Sequence, residues 1–152
     1  MSLFSGVTVE RVIASPPGPI FALLADPRRH REIDGSGLLR DSFDGPDRLT
    51  LGARFGMDMK AGAPYRMINE VVEFEADRRI AWQPRPAAPL LGRVIGGRIF
   101  RYELEPVPGG TRVRETWDIS QERIPPLVAG LRGATRRGMT KTLARIEEIV
   151  TS

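Results

Sequence analysis

The fold is decided by one stretch near the end of the chain, residues 125–150, which read PPLVAGLRGATRRGMTKTLARIEEIV. Its apolar residues recur at the i, i+3, i+4, i+7 spacing of an amphipathic helix. The resulting stripe consists of Val128, Leu131, Thr135, Met139, Thr142, Ile146 and Ile149. Nearly everything before this stretch has the pattern of strands. We therefore expect a long C-terminal helix that lays its stripe across a sheet.

The same stretch would make a poor helix on its own. Gly130, Gly133 and Gly138 lie within it, and each costs about 1 kcal/mol relative to alanine. Its opposite ridge is basic and carries like-charged i,i+4 pairs, which destabilise an isolated helix. The ridge consists of Arg132, Arg136, Arg137, Lys141 and Arg145. Packing must hold such a helix, and the glycines indicate either a close approach to the sheet or a bend that admits a ligand.

The overall composition limits the class of protein. A chain of 152 residues with 41% hydrophobic content predicts a single domain, residues 1–152, with a real core. There are no cysteines, so disulfides and thiol catalysis are excluded. We find neither an 18-residue apolar run nor a signal-peptide pattern, and so expect no membrane span and a cytoplasmic location. The net charge of +4 is mostly scattered, and few aromatics lie among the basic residues. Nucleic-acid binding is therefore not expected.

The order of elements predicts an α+β fold. One strand is followed by two short helices, then by an antiparallel meander, and last by the long helix. Together the strands make a sheet of about seven. The predicted strands are residues 7–14, 38–43, 53–60, 65–75, 79–83, 98–105 and 111–120.

A tight turn at residues 76–78 sets the register of the central hairpin. It pairs Phe74 with Ile80 and Val72 with Trp82, which places all four side chains on one face. Carried back along the strand, the same alternation turns Ile68 inward.

Several segments resemble the START/Bet v 1-like (SRPBCC) superfamily, most closely its bacterial polyketide cyclase/dehydrase-like branch. The matching motifs are ASPP (14–17), FALLADP (21–27), HREIDG (30–35), VEFE (72–75), RIAW (79–82), YELEP (102–106) and TWD (116–118). The resemblance implies a helix-grip fold, in which a curved antiparallel sheet wraps around the long C-terminal helix and encloses a cavity. It implies binding of lipid-like, polyketide-like or polycyclic compounds, or cyclase/aromatase chemistry. It carries over no catalytic residue, because the matches are those of the scaffold.

The inward row of the predicted strands supplies the candidate ligand contacts. Those contacts are Phe55, Met57, Met59, Ile68, Val72, Phe100, Tyr102 and Trp117, facing Leu131, Thr135 and Met139. Methionines suit irregular apolar ligands because their side chains adapt in shape. An ordinary filled core is the alternative; the resemblance favours a cavity.

Two acids, Glu70 and Glu115, break the inward apolar pattern. A buried carboxylate must be hydrogen-bonded, paired or protonated. Arg66 and Arg98 have the parity to pair with them. The two acids could orient a ligand or exchange protons with it, or they could form structural ion pairs. A slip in the strand register could instead put Glu70 on the outer face.

His30 is the single histidine of the chain. It is spaced to pair with Asp34 along one helical turn, although a structural or solvated histidine is the simpler interpretation. No metal site and no cofactor are expected, because one histidine, no cysteine and no phosphate-binding loop are present.

The long connection at residues 84–97 is apolar for a loop, with Leu90, Leu91, Val94 and Ile95. Alternate turns of a meander fall at one end of the sheet, so this loop could be a lid over the mouth of a cavity. It could equally pack its own leucines or form a homodimer contact.

Three functions therefore remain open. The first is binding of a small hydrophobic ligand between sheet and helix. The second is a cyclase or aromatase in which Glu70, Tyr102 or Glu115 moves protons. The third is an interaction protein that uses the basic helix ridge against an acidic partner.

Overall fold

The computed structural model describes residues 6–88, 96–122, 128 and 130–152. Within them, seven strands form one antiparallel sheet in the order β1-β7-β6-β5-β4-β3-β2. The strands are β1 (Val7–Ile13), β2 (Leu39–Phe43), β3 (Arg54–Ala61), β4 (Ala63–Glu75), β5 (Arg79–Pro86), β6 (Ile99–Val107) and β7 (Gly110–Asp118). Two short helices, α1 (Pro17–Leu24) and α2 (His30–Ile33), follow β1, and the long helix α3 (Arg132–Thr151) comes last. The predicted helix-grip fold is confirmed.

Helix α3 buries the middle of the predicted stripe, because Met139, Thr142 and Ile146 are all below 7% exposed, whereas Leu131 at its start is exposed. The structure describes this helix from Arg132, capped by Leu131. Residues 125–127 and Ala129, where the sequence predicts its first turn, lie outside the described residues.

Gly138 of α3 makes a close approach, as its position in the helix suggested, but it approaches the connection between α2 and β2 and not the sheet. Gly138 packs against the connection between α2 and β2, where an added Cβ would lie 3.4 Å from the Ser36 backbone. On the facing side, a Cβ added to Gly35 would lie 2.0 Å from the Gly138 carbonyl oxygen, and the Gly35 N–H donates to Thr142 Oγ1 at 2.9 Å. Gly130 has no such neighbour. The helix is therefore fixed against the α2–β2 connection.

The predicted register of β4 is wrong for its first half. Val71 pairs with Trp82 and Glu73 pairs with Ala81, so Val72 is an extra residue, a β-bulge. A bulge exchanges the row of side chains that faces inward. Phe74 is still opposite Ile80 as predicted, but upstream of the bulge the buried residues are Met67, Asn69 and Val71.

Three predicted ligand contacts are corrected by this bulge. Ile68, Glu70 and Val72 do not face the helix. The Glu70 carboxylate instead binds Arg54 across the outer face of the sheet at 3.2 Å, with its side chain 45% exposed. Arg66, the predicted partner of Glu70, binds Asp58 at 2.8 Å.

The core is filled at one end and hollow at the other. Under α1 and the C-terminal half of α3, side chains such as Phe21, Leu24, Leu143 and Ile146 pack into one continuous cluster. A second, smaller cluster lies around Trp117 and Met139. The hollow part of the interior lies beneath the N-terminal half of α3.

Candidate functional site: a cavity between the sheet and the C-terminal helix

The sheet and α3 enclose a cavity of about 300 Å³. Nine of the thirteen predicted contact residues line it. They are Met57, Met59, Phe100, Tyr102, Glu115, Trp117, Leu131, Thr135 and Met139. The predicted cavity is therefore present, at the lower end of the range of ligand pockets, about 300–1,000 Å³. That these residues bind a ligand stays a prediction.

Phe55 is a further correction, because it lies one layer behind the cavity wall. Its ring packs edge-on against His30 at 5.4 Å and against Trp82 at 5.8 Å, between ring centroids. Phe55 is 1% exposed and belongs to the filled core. It supports two wall residues without lining the cavity.

The exposed members of the wall mark the side on which the cavity opens. Leu131 is 52% exposed and Tyr65 is 39% exposed, and both line the cavity. Pro84 and Arg98, on either side of the predicted lid loop, line it too. Residues 89–95, which include the four apolar residues of that loop, lie outside the described residues. The lid therefore stays a prediction.

Glu115 is the carboxyl group of the inner wall. It is 2% exposed, and it lies opposite Tyr102 in the β6–β7 pairing. The Tyr102 hydroxyl donates to Glu115 Oε2 at 2.9 Å, while Oε1 is buried without a hydrogen-bond partner. Burial raises the pKa of Glu115 to about 8, against the opposing effect of the Tyr102 hydrogen bond. The group is therefore mostly a neutral carboxylic acid at pH 7.

His30 is a second polar group of the inner wall, which the sequence interpretation undervalued. Its ring stacks on Trp82 at 4.8 Å between centroids, and its Nε2 lies 2.8 Å from the Leu24 carbonyl oxygen. A carbonyl can only accept, so Nε2 carries the proton and Nδ1 is left as a buried acceptor without a partner. Burial lowers the pKa of His30 to about 4. The ring is neutral at pH 7.

The His30–Asp34 pair that the spacing allowed does not form, in line with the simpler interpretation of a structural histidine. Asp34 instead accepts hydrogen bonds from the Ser36 N–H, the Ser36 hydroxyl and the Leu39 N–H, at 2.6–3.0 Å. The carboxylate holds the α2–β2 connection in place.

Asn69 is the third polar group of the inner wall, and it faces inward because of the bulge at Val72. It is fully buried, its Nδ2 donates weakly to the Phe55 carbonyl at 3.4 Å, and its Oδ1 has no partner. The signal in the sequence that could have revealed this is the alternation of Met67, Asn69 and Val71, which puts Asn69 on the same side of the strand as two apolar residues. For His30, the signal was its spacing of three from Ile33, which puts both on the buried face of α2.

Three buried polar atoms without partners thus belong to residues of the cavity wall: His30 Nδ1, Asn69 Oδ1 and Glu115 Oε1. An unsatisfied buried polar atom costs about 1–3 kcal/mol. Two of these atoms are acceptors, and the third belongs to a carboxylic acid that can donate or accept. The arrangement can hold a molecule that offers hydrogen-bond donors and is otherwise apolar.

Arg98 lies at the open end of the cavity, opposite the inner wall that holds His30, Asn69 and Glu115. It does not pair with Glu115, as the sequence allowed, because Glu115 binds Tyr102. Burial lowers the pKa of Arg98, while the nearby Glu122 carboxylate opposes that effect. Glu122 is itself occupied by the backbone N–H groups of residues 96–98. Among the described residues that line the cavity, Arg98 is the one whose side chain is positively charged at pH 7.

The described part of the chain shows neither a metal-binding cluster nor a membrane-spanning helix. No group of three His, Asp or Glu side chains there is arranged to hold a metal ion. No helix there is both long enough and apolar enough to cross a bilayer.

The chain resembles both sequence relatives and solved structures. It is 39% identical over 108 residues to the uncharacterized protein Rv0088 of Mycobacterium tuberculosis, a match that covers 70% of this chain. The match covers only 44% of that protein, so the chain spans less than half the length of the curated relatives it matches.

Two solved structures show the fold. Protein MLL2253 of Mesorhizobium loti superimposes with a TM-score of 0.70 at 22% identity, covering 96% of both chains. Protein Ms6760 of Mycobacterium smegmatis superimposes with a TM-score of 0.73 at 16% identity, covering 97% of this chain and 92% of that one.

A family model matches almost the whole chain. The family is described as polyketide cyclase / dehydrase and lipid transport, and its model matches residues 6–151. The apolar cavity beneath α3 and the helix-grip topology accord with that match. The chain belongs to the polyketide cyclase/dehydrase and lipid transport family, with its SRPBCC-type fold.

Proposed function

We propose that this protein binds a small, mainly apolar ligand in the cavity beneath α3, and that the ligand donates hydrogen bonds to the inner wall. The observation that carries the proposal is the set of three unpartnered polar atoms, on His30, Asn69 and Glu115, in a mainly apolar cavity. Family membership supports a ligand-binding or cyclase-like role at this coarser level.

The size of the cavity limits the ligand. An apolar protein cavity of about 150 Å³ holds benzene. A cavity of about 300 Å³ therefore suits two fused rings or a chain of similar volume. Methionines 57, 59, 67 and 139 line it, and their flexible side chains can adapt to an irregular apolar shape.

The first test compares 2-naphthol with 2-methoxynaphthalene, which has the same ring system but no hydroxyl donor. We expect 2-naphthol to bind about tenfold more tightly, because its hydroxyl satisfies one buried acceptor. Fluorescence titration measures both affinities. Equal affinity of the two compounds would contradict the role of the inner polar atoms.

The second test fills the cavity. Thr135 lines it from α3 and is half-buried, whereas Thr140 is exposed on the same helix. Thr135→Trp should weaken 2-naphthol binding at least tenfold, and Thr140→Trp should leave it unchanged. Circular dichroism checks that both variants fold. Full binding by Thr135→Trp would place the ligand elsewhere.

A cyclase or dehydrase activity is the second candidate, favoured by the state of Glu115. A carboxylic acid with a pKa of about 8 can give and take up a proton near neutral pH, and its free oxygen belongs to a wall residue. In such a reaction Glu115 would protonate a leaving hydroxyl, which departs as water, while His30 Nδ1 accepts the proton from the adjacent carbon.

Mass spectrometry of a synthetic β-hydroxy-ketone incubated with the protein tests this candidate. Water should be lost with the wild type and retained with a folded Glu115→Gln variant. An identical rate with both proteins would exclude Glu115 as the acid.

A further inference from the structure

The charge at the mouth of the cavity bears on the chemical class of the ligand. Arg98 directly precedes β6 and shares the inward row with Phe100 and Tyr102, all three of which line the cavity. A strand rises about 3.3 Å per residue, so Arg98 lies about 13 Å from Tyr102 along the wall. The Arg98 cation and the Tyr102 hydroxyl are thus at opposite ends of one mainly apolar wall.

The Arg98 guanidinium has no carboxylate in ion-pair contact among the described residues, and the burial that lowers its pKa also removes part of its hydration. Glu122 contributes a favourable field, but its oxygens accept N–H groups from residues 96–98. Tyr65 lies near Arg98, but burial raises the pKa of its phenol above the ordinary value of 10, so it offers Arg98 no negative charge at pH 7. A partly buried cation without a paired anion is costly, and an anionic ligand group would offset that cost.

The other ionisable groups of the wall do not compete for Arg98. Asp34 is held by three hydrogen bonds within the α2–β2 connection. Glu115 is bound by Tyr102 and is mostly uncharged at pH 7. His30 is neutral at pH 7 because burial lowers its pKa to about 4. Arg98 therefore remains available as the partner of a charge brought by the ligand.

We propose that the ligand is an amphipathic acid whose oxyanion, a carboxylate or a phosphate, pairs with Arg98 at the mouth while its apolar body extends toward Tyr102. The planar guanidinium matches both oxyanions because it can donate two parallel hydrogen bonds. This inference rests on the proposed function, since it assigns the head group of the same ligand.

Decanoate, decyl phosphate and decanol test the proposal, because they share one alkyl chain and differ only in the head group. We expect at least one of the two anions to bind wild-type protein tenfold or more tightly than decanol, by isothermal titration calorimetry at pH 7. The tighter anion identifies the head group. Arg98→Met should bring the affinity for that anion to within twofold of the affinity of the same variant for decanol.

Two further variants complete the experiment. Arg112→Met removes an arginine from the outer face of β7, where Arg112 binds Glu105 at 3.3 Å, and should keep the full preference for the anion. Arg98→Lys keeps a charge but loses the fork, and should show a reduced preference. This variant decides the matter if Arg98→Met does not fold: an undiminished preference in Arg98→Lys would then overturn the role of the guanidinium fork.

Each remaining outcome has a distinct meaning. Decanol binding as tightly as both anions, or an anion preference that survives Arg98→Met, would overturn this inference and leave the cavity as a binding site for neutral ligands. Binding of none of the three compounds, together with failure of 2-naphthol to bind, would overturn the proposed function itself.

Discussion

The two faces of the sheet treat their polar side chains in opposite ways. On the outer face, Arg101 binds Glu73 at 2.6 Å and Asp118 at 3.3 Å, and each charge has a partner. On the inner face, Asn69 and Glu115 each keep a buried oxygen without one. Polar groups that satisfy one another stabilise the fold, whereas polar groups left unsatisfied inside a cavity are available to a ligand. On this contrast we assign structural roles to the paired residues of the outer face and propose Asn69 and Glu115 as ligand contacts.

The largest effect that follows from this contrast is expected in the dependence of the free energy of unfolding on pH. Glu115 has a pKa of about 8 in the fold, compared with the ordinary value of 4.5. Between those values the native state holds one more proton than the unfolded state, so this group lowers the free energy of unfolding by about 1.4 kcal/mol per pH unit as the pH rises. Its stabilising contribution is complete below about pH 4.5 and is lost by about pH 8.

His30 works in the opposite direction over a lower range. Its pKa of about 4 in the fold, compared with 6.5, makes stability rise with pH between those values. The two effects oppose each other up to about pH 6.5, and above it the Glu115 effect is left. We expect wild-type protein to lose about 2 kcal/mol between pH 6.5 and 8 in urea unfolding, and Glu115→Gln to lose almost none. Equal losses in both proteins would mean that Glu115 is not neutral in the fold.

A somewhat smaller effect is expected on the outer face. Arg101→Met leaves the half-buried Asp118 without this cation and leaves Glu73 with the longer pair to Arg79 at 3.6 Å. The Arg101 hydrogen bonds are the main reason that the pKa of Glu73 lies below its ordinary value. We expect unfolding in urea to become easier by about 1–2 kcal/mol, after allowance for solvent screening. Binding of 2-naphthol should not change. A loss of binding with intact stability would reverse the roles assigned to the two faces.

The smallest effect on stability is expected at Asn69. Asn69→Leu removes a buried oxygen that has no partner and a weak hydrogen bond of 3.4 Å, so the gain and the loss nearly cancel, and the free energy of unfolding should change by less than about 0.5 kcal/mol. Affinity for 2-naphthol should nevertheless fall several-fold. As a control, Arg114→Ala breaks an exposed pair with Glu10 and should alter neither quantity beyond about 0.5 kcal/mol. Destabilisation of Asn69→Leu by several kcal/mol would show that Asn69 has a structural role.

The sequence was sufficient for the fold and for the walls contributed by β3, β6, β7 and α3, because their apolar residues keep one unbroken period. Met57 and Met59 are two residues apart on β3, and Thr135 and Met139 lie one turn apart on α3, so counting residues along each element predicts which way their side chains point. The same count succeeded for Tyr102 and Glu115, which face each other across β6 and β7.

The count failed where the period is interrupted. Val72 shifts the alternation by one residue, and valine has no feature that marks it as a bulge, so regular alternation puts Ile68 and Glu70 inside and Asn69 outside. Parity correctly predicts that Arg98 points inward. It also allows a pair between Arg98 and Glu115, and it does not reveal that Glu115 instead binds Tyr102. Partner choice depends on distances that only the folded chain provides.

The extra residue in β4 also bears on how this cavity can change over evolutionary time. A bulge at another position of β4 would change which side chains of the strand face the cavity, without any substitution in the strand. Proteins built on this scaffold could thus acquire new binding preferences through the placement of one irregularity, and comparing where it falls would be as informative as comparing the residues themselves.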